Sequence, residues 1–278
     1  MPPAGIAYGL LAAITFGAGD FVGATAARRA GVLAVVAGAQ VIGLVALLVA
    51  LLVVRPAIPP IENVVLGLLA GVGGAVGLAA LFGGMAVGSM GLVAALSGAG
   101  SLVIPLAAGA IMGVRIAPLQ LVGVVFAAAA AAAAGSAASQ DRVARRALLL
   151  SALAAVSFGA WYVLLDLSAQ SGDPLWTLVL SRAASALLMV VAAVGRFDRG
   201  RYPVRLVAAA GLLDVGGNAF YLAARGEMAV GLAAALTGLY PIITLLLARF
   251  ILGERLPALG LVGVALAVSA VVLISLGG

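Results

Sequence analysis

Residues Gly231–Leu273 read GLAAALTGLYPIITLLLARFILGERLPALGLVGVALAVSAVVL, which is two apolar runs joined by the short polar turn GERLP. Each run is long enough to cross a bilayer, because a spanning α-helix needs about 20 apolar residues. A related unit stands at Gly91–Ala133: GLVAALSGAGSLVIPLAAGAIMGVRIAPLQLVGVVFAAAAAAA. The two copies agree at 18 of 43 positions without a gap, whereas composition alone would give about six agreements. The chain therefore contains an internal duplication.

The composition points to a protein whose solvent is lipid. Of the 278 residues, 65% are hydrophobic and 9% charged, whereas a soluble domain carries about 25% charged residues. The chain has no Cys, His or Lys, which excludes disulfides, thiolate chemistry and the usual general base and metal ligand. We therefore expect an integral membrane protein with no metal and no cofactor. The basic residues are all Arg and lie mostly in short loops, a membrane-topology signal rather than a nucleic-acid footprint.

Apolar runs broken by charge, Pro or Gly predict an all-α fold with ten transmembrane helices. The duplication extends to AAITFG at Ala12–Gly17 and AAVSFG at Ala154–Gly159. Since five helices per half is an odd number, the two halves enter the membrane from opposite sides as inverted repeats, an arrangement common among secondary transporters. We assign residues 1–138 to the first repeat, 139–146 to a linker and 147–278 to the second repeat. The predicted helices are Ala4–Ala27, Val32–Val54, Asn63–Val87, Gly91–Met112, Pro118–Ala138, Ala147–Leu167, Pro174–Val194, Leu206–Ala224, Val230–Leu252 and Ala258–Leu276.

The residues Tyr240-Pro241 and the later run Leu252–Arg255, which reads LGER, resemble the C-terminal signature of EamA-type transporters of the drug/metabolite transporter superfamily. The resemblance covers nearly the whole chain and implies ten helices in two EamA repeats. In the first half, Gly100-Ser101 stand in place of Tyr-Pro. Family members often carry an Arg in helix 2 and in helix 7, and here Arg182 fits that pattern whereas Gln40 does not.

Asp214 is the first candidate for a functional site, because it lies near the middle of predicted helix 8. A carboxylate at that depth costs about 2.5–3.5 kcal/mol on insertion scales, so such residues face the bundle or a wet cavity. Asn218 and Tyr221 follow one and two turns later and share its helical face. Two interpretations stay open: a polar clamp between helices, or a substrate or proton site.

Five further residues are candidates for substrate binding. Asp20, in predicted helix 1, is either a solvated residue at a mouth or part of the site. Arg182 can pair with a buried acid or a substrate carboxylate, or extend to the nearby surface. Trp161, Tyr162 and Tyr240 stand within predicted helices, where aromatic side chains line a cavity or belong to the interfacial belts of a membrane protein.

Function follows from what the sequence contains and lacks. No phosphate-binding loop, zinc motif or nucleophile–His pair is present, so we do not expect an enzyme. The leading hypothesis is a secondary active transporter, in the direction of export, of small metabolites or amino acids by alternating access, with the proton as a candidate coupling ion. A channel or pore is the alternative, and a membrane scaffold is a third class. We expect a multi-pass monomer or homodimer in the bacterial inner membrane, with the bilayer and a small solute as partners and no nucleic acid.

Charge asymmetry gives a prediction of orientation. The loops after predicted helices 1, 3, 5, 7 and 9 carry 11 Arg residues, and the opposite loops carry three. The positive-inside rule then places both termini outside the cytoplasm, whereas the family resemblance implies both inside. The 11 are Arg28, Arg29, Arg142, Arg145, Arg146, Arg196, Arg199, Arg201, Arg205, Arg249 and Arg255, and the three are Arg55, Arg115 and Arg225.

Overall fold

The structure is a computed structural model that describes residues 3–113, 115–138, 142–196, 202–228 and 230–277. Within these ranges every regular element is an α-helix. The helices are α1 (Pro3–Ala30), α2 (Val32–Val54), α3 (Ile61–Val87), α4 (Met90–Ile111), α5 (Pro118–Ala138), α6 (Arg142–Ser171), α7 (Pro174–Ala193), α8 (Val204–Glu227), α9 (Val230–Thr237), α10 (Tyr240–Leu252) and α11 (Ala258–Leu276).

The helices account for ten membrane crossings. Nine segments of the described residues are long and apolar enough to span a membrane, with α9 and α10 together forming one of them, and α5 adds a shorter apolar helix. Helices satisfy their own backbone hydrogen bonds, which lipid cannot do. Their outward faces are apolar, as Val53 at 78% exposure and Phe250 at 81% illustrate. The predicted all-α, ten-helix membrane fold is confirmed, and the inverted relation of its halves stays a prediction.

Several helix boundaries differ from the sequence-based prediction, and the differences are largest in the ninth predicted helix and at the start of α6. The predicted continuous helix Val230–Leu252 is broken into α9 and α10 at Gly238 and Leu239. Pro241 has no N–H to continue the ladder, and the Leu239 amide bonds the Leu236 carbonyl at 3.2 Å, in the tighter three-residue pattern. Helix α6 begins at Arg142, inside the predicted linker. Linker residues 139–141, like Arg199 and Arg201 of the loop after predicted helix 7, lie outside the described residues.

The repeated AAxxFG motifs explain how the two halves interlock. Helix α1 packs against α8, and α6 packs against α3. In the first pair the Phe16 ring lies against Gly217, where a Cβ atom would come within 2.7 Å of the ring. In the second pair the Phe158 ring lies against Gly77, again at 2.7 Å from a Cβ. The motif therefore supplies a ring from one half to a glycine of the other, and small residues permit this close approach of membrane helices.

One side of the bundle, which we call the basic side, contains the ends of α1, α3, α7 and α10 and the starts of α2, α4, α8 and α11. There Arg28 donates hydrogen bonds to the carbonyls of Met85 at 2.8 Å and Gly88 at 3.2 Å, at the end of α3. Glu254 accepts a bond from the Met90 amide at 3.3 Å, at the start of α4. Backbone groups at helix ends need such partners. Residues from both halves of the chain therefore hold the α3–α4 turn on the basic side.

The largest buried apolar cluster fills the basic-side half of the bundle. Its members come from α1, α2, α3, α4, α6, α7, α8 and α10, and each is at most 6% exposed. This layer closes the space between the helices toward the basic side. Its largest members are Phe21, Val35, Val36, Leu81, Phe82, Met85, Met90, Val93, Met189 and Val207.

Candidate functional site

A cavity lies directly behind that layer, between α1, α2, α3, α7 and α8. Asp20 and Asp214 line it, each ten residues from the basic-side end of its helix. Ten helical residues span about 15 Å, which is half the thickness of a bilayer core of about 30 Å. The cavity therefore lies near the middle of the membrane, and it has room for about one water molecule.

Arg182 also lines the cavity, where its guanidinium joins three helices. One terminal nitrogen donates to the Asp214 carboxylate of α8, forming an ion pair. The other donates to the Gln40 side-chain carbonyl of α2, and the Gln40 amide in turn donates to the Ser185 hydroxyl. The Arg182 side chain is only 12% exposed, so it does not extend to the surface. A guanidinium donates several bonds in a fixed plane, which fits this two-sided contact.

Asp20 is placed differently from Asp214, although both face the same cavity. Its carboxylate has no hydrogen-bond or salt-bridge partner in the part of the chain that the structure describes. The cavity wall therefore holds two carboxylates and one guanidinium, of which one carboxylate is unpaired. The structure brings together the three charged candidates that the sequence indicated.

Trp161, on α6, contacts α7 at the residue that precedes Arg182. Its indole nitrogen donates to the Ser181 hydroxyl at 2.9 Å. A Cβ atom at Gly74 would come within 3.1 Å of the indole ring, so the ring fills the space that this glycine leaves on α3. The ring of Tyr162 packs edge-on against it, with centroids 4.9 Å apart. Trp161 is thus a packed residue between α3, α6 and α7.

Three tyrosines stand on the side of the cavity away from the basic side. The Tyr162 hydroxyl has Tyr221, Asp20 and Asp214 as electrostatic neighbours, and Tyr240 has Asp20 and Tyr162. These neighbours place Tyr162 among α1, α8 and α10, yet its side chain is 44% exposed. We call the region between these helices, around the partly exposed Tyr162, the vestibule. The guanidinium of Arg225 lies 5.9 Å from the centre of the Tyr221 ring at the outer part of this space.

Two further candidates act on backbone atoms. The Asn218 amide donates to the main-chain carbonyl of Asp214 at 2.8 Å, so it contacts the backbone of that residue rather than its carboxylate. The Tyr240 hydroxyl, at the start of α10, donates to the Ala94 carbonyl of α4 at 3.3 Å. A Cβ atom at Gly98 would come within 2.5 Å of that hydroxyl. The absence of a side chain at Gly98 therefore lets Tyr240 reach α4.

Gln40 and Ser185 complete the network and were not among the predicted site residues. Both are neutral, so neither stands out in an apolar helix as a charged residue does. A signal was present for Gln40, because the repeat register sets it opposite Arg182. No comparable signal marks Ser185, since Ser is frequent at the contacts between membrane helices.

Comparisons with known proteins agree with this architecture. Residues 145–276 match the model of the EamA-like transporter family. A crystal structure of a protein superposes on this chain with a TM-score of 0.65 at 16% sequence identity, and the match covers 99% of each chain. At that identity the likeness shows the fold alone. The chain matches none of the curated proteins with which it was compared. The resemblance seen in the sequence is confirmed: residues 145–276 of this multi-pass integral membrane protein belong to the EamA-like transporter family.

Proposed function

We propose that this chain is a secondary active transporter that moves small metabolites or amino acids across the bacterial inner membrane by alternating access. The observation that carries the proposal is the cavity near mid-membrane with Asp20, Arg182 and Asp214 in its wall. Ionisable groups are costly at that depth, and in membrane proteins they mark substrate paths and proton relays. A scaffold protein would have no use for them there.

The two sides of the cavity support this mechanism, because they differ. Toward the basic side lies the buried apolar cluster, with Phe82 in both the cluster and the cavity wall. Toward the opposite side lies the vestibule with the exposed Tyr162. One closed and one open side is what an alternating-access transporter needs in either of its end states. A channel instead needs a continuous polar path, which the apolar cluster interrupts.

Orientation gives the proposal a direction. If the basic side faces the cytoplasm, as the Arg distribution favours, the vestibule faces outward and export requires the basic-side cluster to open. Both termini are then outside. Reporter proteins fused after Gly278 test this orientation. We expect activity from a reporter that works outside the cytoplasm, and activity only from a cytoplasmic reporter would contradict it.

Uptake and counterflow of labelled amino acids and amines in proteoliposomes test transport itself. A transporter gives saturable uptake that is accelerated by unlabelled solute on the other side, whereas a pore gives neither. We expect Asp214→Asn to fold, because Arg182 keeps its contact with Gln40, and to lose the dependence of transport on pH or on a cation. Glu62→Gln, which removes an exposed carboxylate in the first turn of α3, is the matched control. Wild-type rate and pH profile in Asp214→Asn would make the ion pair a structural clamp only.

A further inference from the structure

The charged side chains around the cavity differ in whether they already have a partner. Arg182 already donates one bond from each terminal nitrogen, to Asp214 and to Gln40, and its charge is paired with that of Asp214. Asp214 is neutralised by this contact. Asp20 faces the same space without a counterion among the described residues. The cavity therefore presents one carboxyl group without a counterion, and in its ionised form this group attracts a cation and repels a carboxylate.

The size of the cavity restricts the kind of cation. With room for about one water molecule, it accepts an ammonium group, which is of similar size and donates hydrogen bonds as water does. A carboxylate or a guanidinium is larger. The alkyl part of a ligand must then lie outside the cavity.

The surroundings of Asp20 suit that alkyl part. Tyr162 and Tyr240 both lie within electrostatic range of Asp20. Ring faces attract an ammonium group and pack against the methylene groups next to it. Tyr162 is 44% exposed, so a short chain bound at Asp20 is expected to extend toward the vestibule.

We infer that the cavity binds the ammonium head group of a small organic amine at Asp20, while the Arg182–Asp214 pair holds the cavity wall. This inference rests on the transport function proposed above and names its substrate class. Arg182 is then a positioning residue, and Asp20 is the residue that contacts the substrate.

Thermal unfolding of the full-length protein in detergent tests the inference with three probes of one size: propylamine, propionate and 1-propanol. Sodium chloride at the same ionic strength serves as the reference. We expect propylamine to raise the unfolding midpoint by about 2–4 °C at concentrations several times its dissociation constant. Propionate and propanol should leave it unchanged. A shift with propionate only, an equal shift with sodium chloride, or no shift with any probe would overturn the inference.

Variants identify the residue. In Asp20→Asn the shift with propylamine should disappear, whereas in Glu62→Gln it should stay at the wild-type value. An equal propylamine shift in Asp20→Asn would overturn the assignment to Asp20.

A measurement on the wild-type chain keeps the test valid if Asp20→Asn does not fold. Dicyclohexylcarbodiimide modifies carboxyl groups in apolar surroundings, and mass spectrometry of the digested protein locates the adduct. Propylamine can itself displace the urea from the activated carboxyl to give a propylamide, so both products are counted; the total modification of Asp20 should slow several-fold, and that of Glu62 should stay unchanged. Modification of Asp20 at an unchanged rate would count against the inference.

Failure of this inference and failure of the transport function are distinguishable. If proteoliposomes show counterflow of carboxylate solutes but propylamine neither binds nor competes, the transport function stands and the amine site is wrong. If propylamine binding depends on Asp20 but no solute shows counterflow, the amine site stands and the transport function is wrong.

Discussion

Two sites in the bundle occupy equivalent positions in the internal repeat but carry different side chains. The register of the repeat pairs three positions of one place with three of the other: Gly19 with Trp161, Ala39 with Ser181, and Asp214 with Gly74. In one place an indole fills the space beside a glycine and bonds a hydroxyl. In the other, the small residues leave a cavity that the Asp214 carboxyl group faces. The same helical scaffold thus holds an apolar plug in one half and a charged site in the other.

The comparison shows that a duplicated membrane fold acquires a site through very few side chains. The interlocking contacts of Phe16 and Phe158 with their glycines are preserved in both halves. The two halves differ in whether a side chain fills the space near these contacts.

Trp161→Ala should have the largest effect on stability. Removing a packed Trp side chain costs about 3 kcal/mol or more, and here it also leaves the Ser181 hydroxyl without its donor. Unfolding in detergent measures the loss. Trp161→Phe, which keeps most of the apolar volume, should lose about 1 kcal/mol. If Trp161→Ala is as stable as the wild type, the indole is not a plug and the two places are more alike than the structure indicates.

Arg182→Gln should have the next largest effect, because it leaves Asp214 without its counterion. Breaking a fully buried pair costs about 3–5 kcal/mol. Since the Asp214 side chain is 31% exposed, we expect about 2 kcal/mol. Unfolding midpoints of Arg182→Gln, Asp214→Asn and the double variant form a cycle. The double variant should recover most of the loss, and simple additivity would show that the pair contributes no coupling.

Gly98→Ala should have the smallest effect on stability. It tests the contact between α4 and α10, which belongs to the repeat copy of α4, the broken α9–α10 pair. The new methyl group displaces the Tyr240 hydroxyl from the Ala94 carbonyl, at a cost of about 1 kcal/mol. In a Tyr240→Phe background the same substitution should cost less, because no hydroxyl is left to displace. Equal unfolding costs in both backgrounds would exclude this contact as the link between α4 and α10.

Much of the fold could be predicted from the sequence because charges and prolines bracket the apolar runs. Helices α2 and α11 begin and end where the residue pattern predicted. The break at Gly238 was not predicted because membrane helices tolerate glycine and proline, so these residues do not by themselves mark the end of a helix. Helix α4 contains Pro105 and continues through it, whereas the chain breaks just before Pro241.

The site could be predicted in part, for a related reason. Asp20, Arg182 and Asp214 stand out because isolated charges in apolar helices are rare. Their pairing could not be read from the sequence, since it depends on how α2, α7 and α8 pack. For Trp161 the sequence indicated a mid-helix aromatic residue, but only the structure shows that its ring packs against Gly74.

The small volume of the cavity beside Asp20 has a consequence for hydration. A ligand group that enters a space for about one water molecule must leave its hydration shell behind. Stripping water is costly for any ion, and it is most costly for a small inorganic ion with a complete shell. An alkylammonium group carries water on one face only, because its carbon chain covers the other. The cavity therefore discriminates by the water that each ligand must lose as well as by charge.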